Sequence, residues 1–323
     1  MNAADGSVAG SVVLGFEGGW QMTNLLELAA REAAVRETTL AIVTVAHPAP
    51  DPRRSFEGQK ADGKRAALIG RDHLARAAKA VQDRYPNLAV TTHYLSEEDA
   101  ESAHAPLSPS PQLLVVGAVG RYGRQAFGLE SISRVLLKAT GCPVLVVPEE
   151  NSIGARKHDQ RTVVAGVGEI CSDSDVIQAA WAESVRLNCD LQIVHTYQDR
   201  LSETPAEGLR RAAEVTAQAI ASAGVALRPG GSVLLTQETP VTALSRQSSD
   251  ATLLVIGSRP GSLSGLVLGS VGKELLGELP CPMLVIPSKV VRPGSWKRSP
   301  TVVDVRDSAE PDLRAQVPTP ATK

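Results

Sequence analysis

The sequence predicts an α/β protein of two tandem doubly wound, Rossmann-like domains, each a mostly parallel five-stranded sheet flanked by helices. Three observations predict it. Short continuous apolar runs without polar alternation, such as Leu113–Val116 and Leu253–Ile256, suit strands buried on both faces. Segments with apolar residues at helical spacing alternate with those runs, as in a parallel sheet built from strand–helix–strand units. One long stretch also occurs twice: LLVVGAVGRYGRQAFGLESISRVLLKATGCPVLVVP at 113–148 and LLVIGSRPGSLSGLVLGSVGKELLGELPCPMLVIP at 253–287. The opening glycines of the two copies, Gly117 and Gly257, are 140 residues apart. That is the period of a domain, not of a solenoid repeat.

A chain of 323 residues accommodates two such domains. Apolar residues make up 43% and aromatic residues 3%, so the cores must rest on Val, Leu, Ile and Ala. A formal net charge of −2 gives no bulk drive toward nucleic acid or an anionic membrane. No apolar run is long enough to span a bilayer, and no basic segment followed by an apolar one opens the chain; the expected location is the cytoplasm. The four cysteines, Cys142, Cys171, Cys189 and Cys281, form no C-x-x-C pair and no disulfide framework. Cys142 and Cys281 fall at equivalent places in the repeat and read as small buried apolar groups.

In chain order, Ser11–Phe16 reads as the first strand, with a turn at Glu17. Leu25, Leu26, Leu28, Ala29 and Ala33 then mark one face of a helix. Leu40–Val45 is a buried strand, and His47 to Gly63, with its prolines and charges, reads as a loop. Ala66 to Ala80 is a helix with His73 on its solvated side, and Ala89–Leu95 is a strand. Ser96 to Pro111 carries no clear pattern. Glu149 to Gln160 is polar, lacks periodicity and reads as a linker between domains at 1–148 and 161–288. The second domain repeats the order: strand Thr162–Val167, helix Val176 to Leu187, strand Leu191–Thr196 carrying His195 as a structural residue, and helix Leu209 to Ala223. Strand Ser232–Thr236 and a short helix Val241–Ser245 lead into the second copy of the repeat. Residues 289–323 contain five prolines and no period, and read as a disordered tail.

Within each repeat, a Gly-rich loop joins the carboxyl end of a buried strand to a helix led by Ser131 or Ser270, which read as N-caps. Free amides, the helix dipole and glycine's small size make such a loop a favourable place for a phosphate. The same glycines could also serve only to make tight turns.

At these residues the chain resembles the universal stress protein family in a tandem form. The family loop reads G-x2-G-x9-G-[ST] and runs through a helix into a Cys-Pro-led strand. The first copy matches at Gly117, Gly120 and Ser131, with Glu130 in place of the last glycine. The second matches at Gly257, Gly269 and Ser270, with Pro260 for the second glycine and Gly261 beside it. The resemblance implies a non-enzymatic stress-response protein that binds ATP, with Mg, at one or both loops. In the second domain it assigns Gly257, Ser258, Arg259, Gly261, Gly269, Ser270 and Val271 to the phosphates and Thr196 to the adenine. In the first it assigns Glu17, Val45, Gly117, Gly120 and Ser131. Glu17 stands where the family has Asp; in the second domain Gly168 stands there and the carboxylate is absent. Family members commonly dimerise through their last strand. The resemblance therefore implies that Val144–Val147 joins Met283–Ile286 within one chain, with a homodimer of tandem chains as a further assembly.

Two other functions compete. One is a scaffold that has lost nucleotide binding and acts through protein partners. The other is an adenylate-forming enzyme of the related nucleotide α-hydrolase group, for which Glu17-Gly18-Gly19 is a faint echo of an S-G-G-x-D-S loop. The six histidines show no metal-ligand spacing, and no set of acid, base and nucleophile stands out.

Overall fold

The ten strands expected from the sequence form one continuous sheet. In the computed structural model, residues 8–16, 23–45, 56–95, 111–118, 141–148, 161–168, 173–258, 269–277 and 279–287 are described. The elements are β1 (Val12–Gly15), α1 (Thr23–Val35), β2 (Leu40–Val45), α2 (Phe56–Arg84), β3 (Val90–Leu95), β4 (Leu113–Gly117) and β5 (Val144–Val147). The second half follows with β6 (Thr162–Val167), α3 (Asp173–Leu187), β7 (Asp190–Thr196), α4 (Pro205–Ala223), β8 (Ser232–Thr236), α5 (Pro240–Ser248), β9 (Leu253–Gly257), α6 (Ser270–Gly277) and β10 (Met283–Ile286). The expected linker, the expected tail and the helix after Ser131 lie outside the described residues.

Strand order is β3-β2-β1-β4-β5-β10-β9-β6-β7-β8. Every pair within each half is parallel. The halves meet at one antiparallel pair, with Met283, Leu284 and Val285 opposite Val146, Leu145 and Val144. The expected internal joining of the two last strands is therefore present. Both strands are wholly apolar because both faces are covered. On β5, Val144 and Val146 face one core while Leu145 and Val147 face the other. The first core includes α5 and α6 through Ala243, Leu244, Leu275 and Leu276. The second takes α1, α2 and α3 through Leu25, Ala29, Leu74, Ala77, Val176 and Ile177. Cys142 and Cys281 are buried and form no disulfide, as expected of small core groups.

A second contact joins the halves. Glu32 of α1 and Glu183 of α3 are 151 residues apart and share two arginines. Arg36 Nη2 lies 3.2 Å from Glu32 and 3.4 Å from Glu183. Arg186 Nη2 lies 3.0 Å from Glu32 and also pairs with Glu183. Both acids are buried. Burial alone would lower the Arg186 guanidinium pKa, but Glu183 and Glu32 hold it above its ordinary value. The same helices end alike. Glu37 and Asn188 both adopt φ 51°. Thr38 N–H donates to Ala33 and Cys189 N–H to Ser184, the closing bonds of a Schellman cap.

Three expectations change. α2 begins at Phe56, so 56–63 is helix rather than loop. The prolines of that segment all precede Phe56, and Glu57, Gln59, Lys60 and Ala61 are good helix formers. His73 is half-buried rather than solvated. α4 begins at Pro205, four residues before Leu209, because Thr204 and Glu207 form a capping box with Pro205 at the first helical position.

Candidate functional site

Each half has a topological switch point. From β1 the chain winds outward through β2 and β3, then returns to β4 on the other side of β1; β6 stands likewise between β7 and β9. In open parallel sheets the crevice at the carboxyl ends of such strands is where ligands sit. The repeated Gly-rich loops leave β4 and β9 at those ends.

In the first half, Gly117 closes β4, and a Cβ there would stand 3.6 Å from Leu25 Cδ2 of α1. Val45 ends β2, paired with Leu95 of β3. Glu17, Gly120 and Ser131 lie outside the described residues. The N–H of Ala118 donates to Val147 O at 2.8 Å, so this first loop amide belongs to the sheet.

The second half is more fully described. Gly257 closes β9, and a Cβ there would stand 3.2 Å from Val176 Cγ2. The glycine thus lets α3 approach the strand end closely. Ser258 is buried, and its N–H donates to Ile286 O at 2.8 Å, so its amide is likewise committed to the sheet. Gly269 accepts from Lys273 N–H at 3.0 Å. Gly269 is therefore the N-cap of α6, and Ser270 is its first helical residue rather than the cap. Among the described residues nothing stands within 4 Å of a Cβ at Gly269, and Ser270 beside it is exposed, while Val271 turns toward the core. Thr196 ends β7, half-buried, opposite Thr236. Arg259 and Gly261 lie outside the described residues.

A carboxylate missing from the sequence pattern appears from another direction. Gly168 follows β6 where an acidic side chain is expected, and its N–H donates to Asp173 Oδ2 at 3.0 Å. Asp173 opens α3, so its signal was an acid in a helix's first turn. His195 is fully buried, with Nδ1 3.3 Å from Val167 O. It is the hydrogen-bonded structural residue the sequence suggested. Among the described residues no group of three His, Cys, Asp or Glu side chains could hold a metal ion, and no helix is long and apolar enough to cross a membrane.

Comparison with known proteins follows the duplication. The universal stress protein family matches twice, over residues 10–148 and 160–287. A universal stress protein of Mycobacterium tuberculosis (strain ATCC 25618 / H37Rv) is 27% identical over 276 residues, covering 80% of this chain and 89% of the relative. A second one from that strain is 26% identical over 294 residues, covering 85% and 96%. Among solved structures, a universal stress protein from Archaeoglobus fulgidus DSM 4304 superposes with a TM-score of 0.60 at 16% identity, over 87% of this chain and 99% of that one. A putative universal stress protein from Pseudomonas aeruginosa UCBPP-PA14 gives 0.56 at 17% identity, over 86% and 93%. These structural likenesses show the fold. With two family matches that together span most of its length, each closing on a Gly-rich loop and a Cys-Pro strand, the chain belongs to the universal stress protein family.

Proposed function

We propose that this chain is a non-enzymatic stress-response protein of the cytoplasm that binds an adenine nucleotide, ATP with Mg, foremost in the crevice of its second half. One observation carries the reading: the Gly-rich loop of that half leaves β9 at the switch point and enters α6 through Gly269 and an exposed Ser270. No described residue fills the space beside Gly269, as close approach of a phosphate to the backbone requires. The described crevice residues would hold the ligand through Gly257, Gly269, Ser270 and Thr196, and the metal would arrive on the phosphates. No described nucleophile is placed beside a base at either crevice; the His195 imidazole is engaged with a backbone carbonyl. Isothermal titration of the full chain with Mg-ATP should give saturable heat, and silence up to millimolar nucleotide would overturn the proposal.

A second reading has its own observation. The amides of Ala118 and Ser258, nearest the loop glycines, are both spent on the sheet, which leaves fewer donors for phosphate. This favours a scaffold that works through protein partners. Partner capture unchanged by added nucleotide supports it; an adenine nucleotide that co-purifies with the native protein contradicts it.

A further inference from the structure

The peptide unit joining Val167 to Gly168 is gripped at both ends. Its carbonyl lies 3.3 Å from His195 Nδ1, and its N–H donates to Asp173 Oδ2 at 3.0 Å. A carbonyl only accepts, so Nδ1 carries the proton, and in the neutral ring Nε2 keeps the lone pair. That Nε2 is buried and has no hydrogen-bond partner among the described residues. The ring is therefore held by one directed contact, the one to Val167. Gly168 is exposed, and among the described residues nothing stands within 4 Å of where its Cβ would be. Val167 is anchored in the core, but on the Gly168 side no described side chain packs against the peptide, and glycine leaves its own dihedrals unusually free. Two hydrogen bonds, one from α3 and one from β7, remove that freedom at the carboxyl end of β6. In the first half Thr44 of β2 occupies the register position that His195 takes in β7, so the imidazole donor is particular to the second half.

We infer that Asp173 and His195 are positioning residues of the second crevice, jointly fixing the Val167–Gly168 peptide as the wall against which a bound adenine nucleotide rests. This rests on the nucleotide reading above. A charged acceptor on the amide and an imidazole donor on the carbonyl polarise the same peptide in the same sense, so each bond strengthens the other. The clamp supplies order at a position where the sequence has given up the side chain that would otherwise provide it.

Two measurements on the full chain test the inference. Amide hydrogen exchange at Gly168 needs no ligand. It should be slowed in the native protein and about tenfold or more faster in Asp173→Ala, which loses a charged acceptor. Asp173→Asn, which keeps an oxygen acceptor, should stay near native. Equal exchange in the native and Asp173→Ala proteins would overturn the clamp. Titration with Mg-ATP should weaken about tenfold in Asp173→Ala and His195→Leu. It should recover to within about twofold in Asp173→Asn and in His195→Asn, whose amide donor occupies the place of Nδ1. Rescue by the conservative variants, with unfolding curves recorded for each, separates positioning from a general loss of structure. Native-like affinity in both Asp173→Ala and His195→Leu would end the inference and leave nucleotide binding standing. A silent native protein whose Gly168 amide is still protected would end the nucleotide reading, and the binding role with it.

Discussion

The first half and the second half share a strand order and differ at the rims of their crevices. From β1 to the end of α1, and from β6 to the end of α3, equivalent residues stay 151 apart, as with Glu32 and Glu183 or Glu37 and Asn188. At the third strands the spacing is 141, as with Leu95 and Thr236, and by the Gly-rich loops it is 140, so the second half is shorter almost wholly between its second and third strands. Buried strands and the interface tolerate little change. The strand ends have been rebuilt. In the first half Thr44 stands beside Tyr94, whose ring packs so tightly on α2 that a Cβ at Gly70 would come within 2.7 Å of it. In the second half His195 stands beside Leu235. Gly257 is pressed by α3 more closely than Gly117 is by α1. The scaffold constrains the middle of each strand, and ligand chemistry is free to vary where the strands stop.

The strongest way to break this comparison is in the cores. Leu114 and Leu254 are equivalent, and both are fully buried in the same apolar cluster. Leu114→Ala and Leu254→Ala should each cost about 3 kcal/mol. Because one sheet runs through both halves, each variant should move a single urea unfolding transition. Two transitions, with each variant shifting only its own, would mean the halves fold separately. A smaller effect sharpens the comparison at the helix ends. Glu37 and Asn188 share a left-handed conformation that costs most residues roughly 1 kcal/mol but suits Asn better. Glu37→Gly should therefore raise stability by up to about 1 kcal/mol, and Asn188→Gly by less. Equal gains would show that the surroundings, not the residue, set the strain.

The smallest effect concerns a contact among the described residues of the second half. Glu203 is held at a pKa of about 2, chiefly by its hydrogen bond to Arg211 and then by the Arg200 amide. Its folded value is below its ordinary 4.5, so its contribution is complete above that pH and fades as pH falls toward 2. Glu203→Gln should flatten the acid limb of the stability curve in that window and leave neutral pH nearly unchanged. An unaltered acid limb would show that this half-buried carboxylate contributes nothing to folding.

Much of the architecture was legible because it rests on short-range patterns. Unbroken apolar runs such as Leu253–Ile256 announce a strand covered on both sides, and the doubled Gly-rich stretch announced the duplication. Even the β5–β10 seam could be anticipated from the likeness of the two Cys-Pro strands. Helix starts were less legible, because caps such as Thr204 with Glu207 lie in polar segments that resemble loops until the helix beyond them is known. At the site, Gly257, Gly269 and Ser270 could be nominated from their resemblance to the family's loop pattern. Which amides were still free could not, since the bond from Ser258 to Ile286 depends on a strand that lies 28 residues further on. Asp173 was passed over for a similar reason: its partner is a backbone N–H, and a backbone leaves no mark in the sequence.

The shared arginines at the seam bear on how such a chain can be cut. Glu32 and Arg36 on one side offer nearly the same pattern as Glu183 and Arg186 on the other. A first half severed from its neighbour would carry a bare β5 edge together with half of a charge lattice whose missing portion its own surface can imitate. Antiparallel pairing of that edge with the same edge of another copy would satisfy both, in the manner of the β5–β10 seam. Fusion of the halves thus supplies permanently, within one molecule, a companion that a lone half would have to find by collision, and it frees each side to diverge without losing the other.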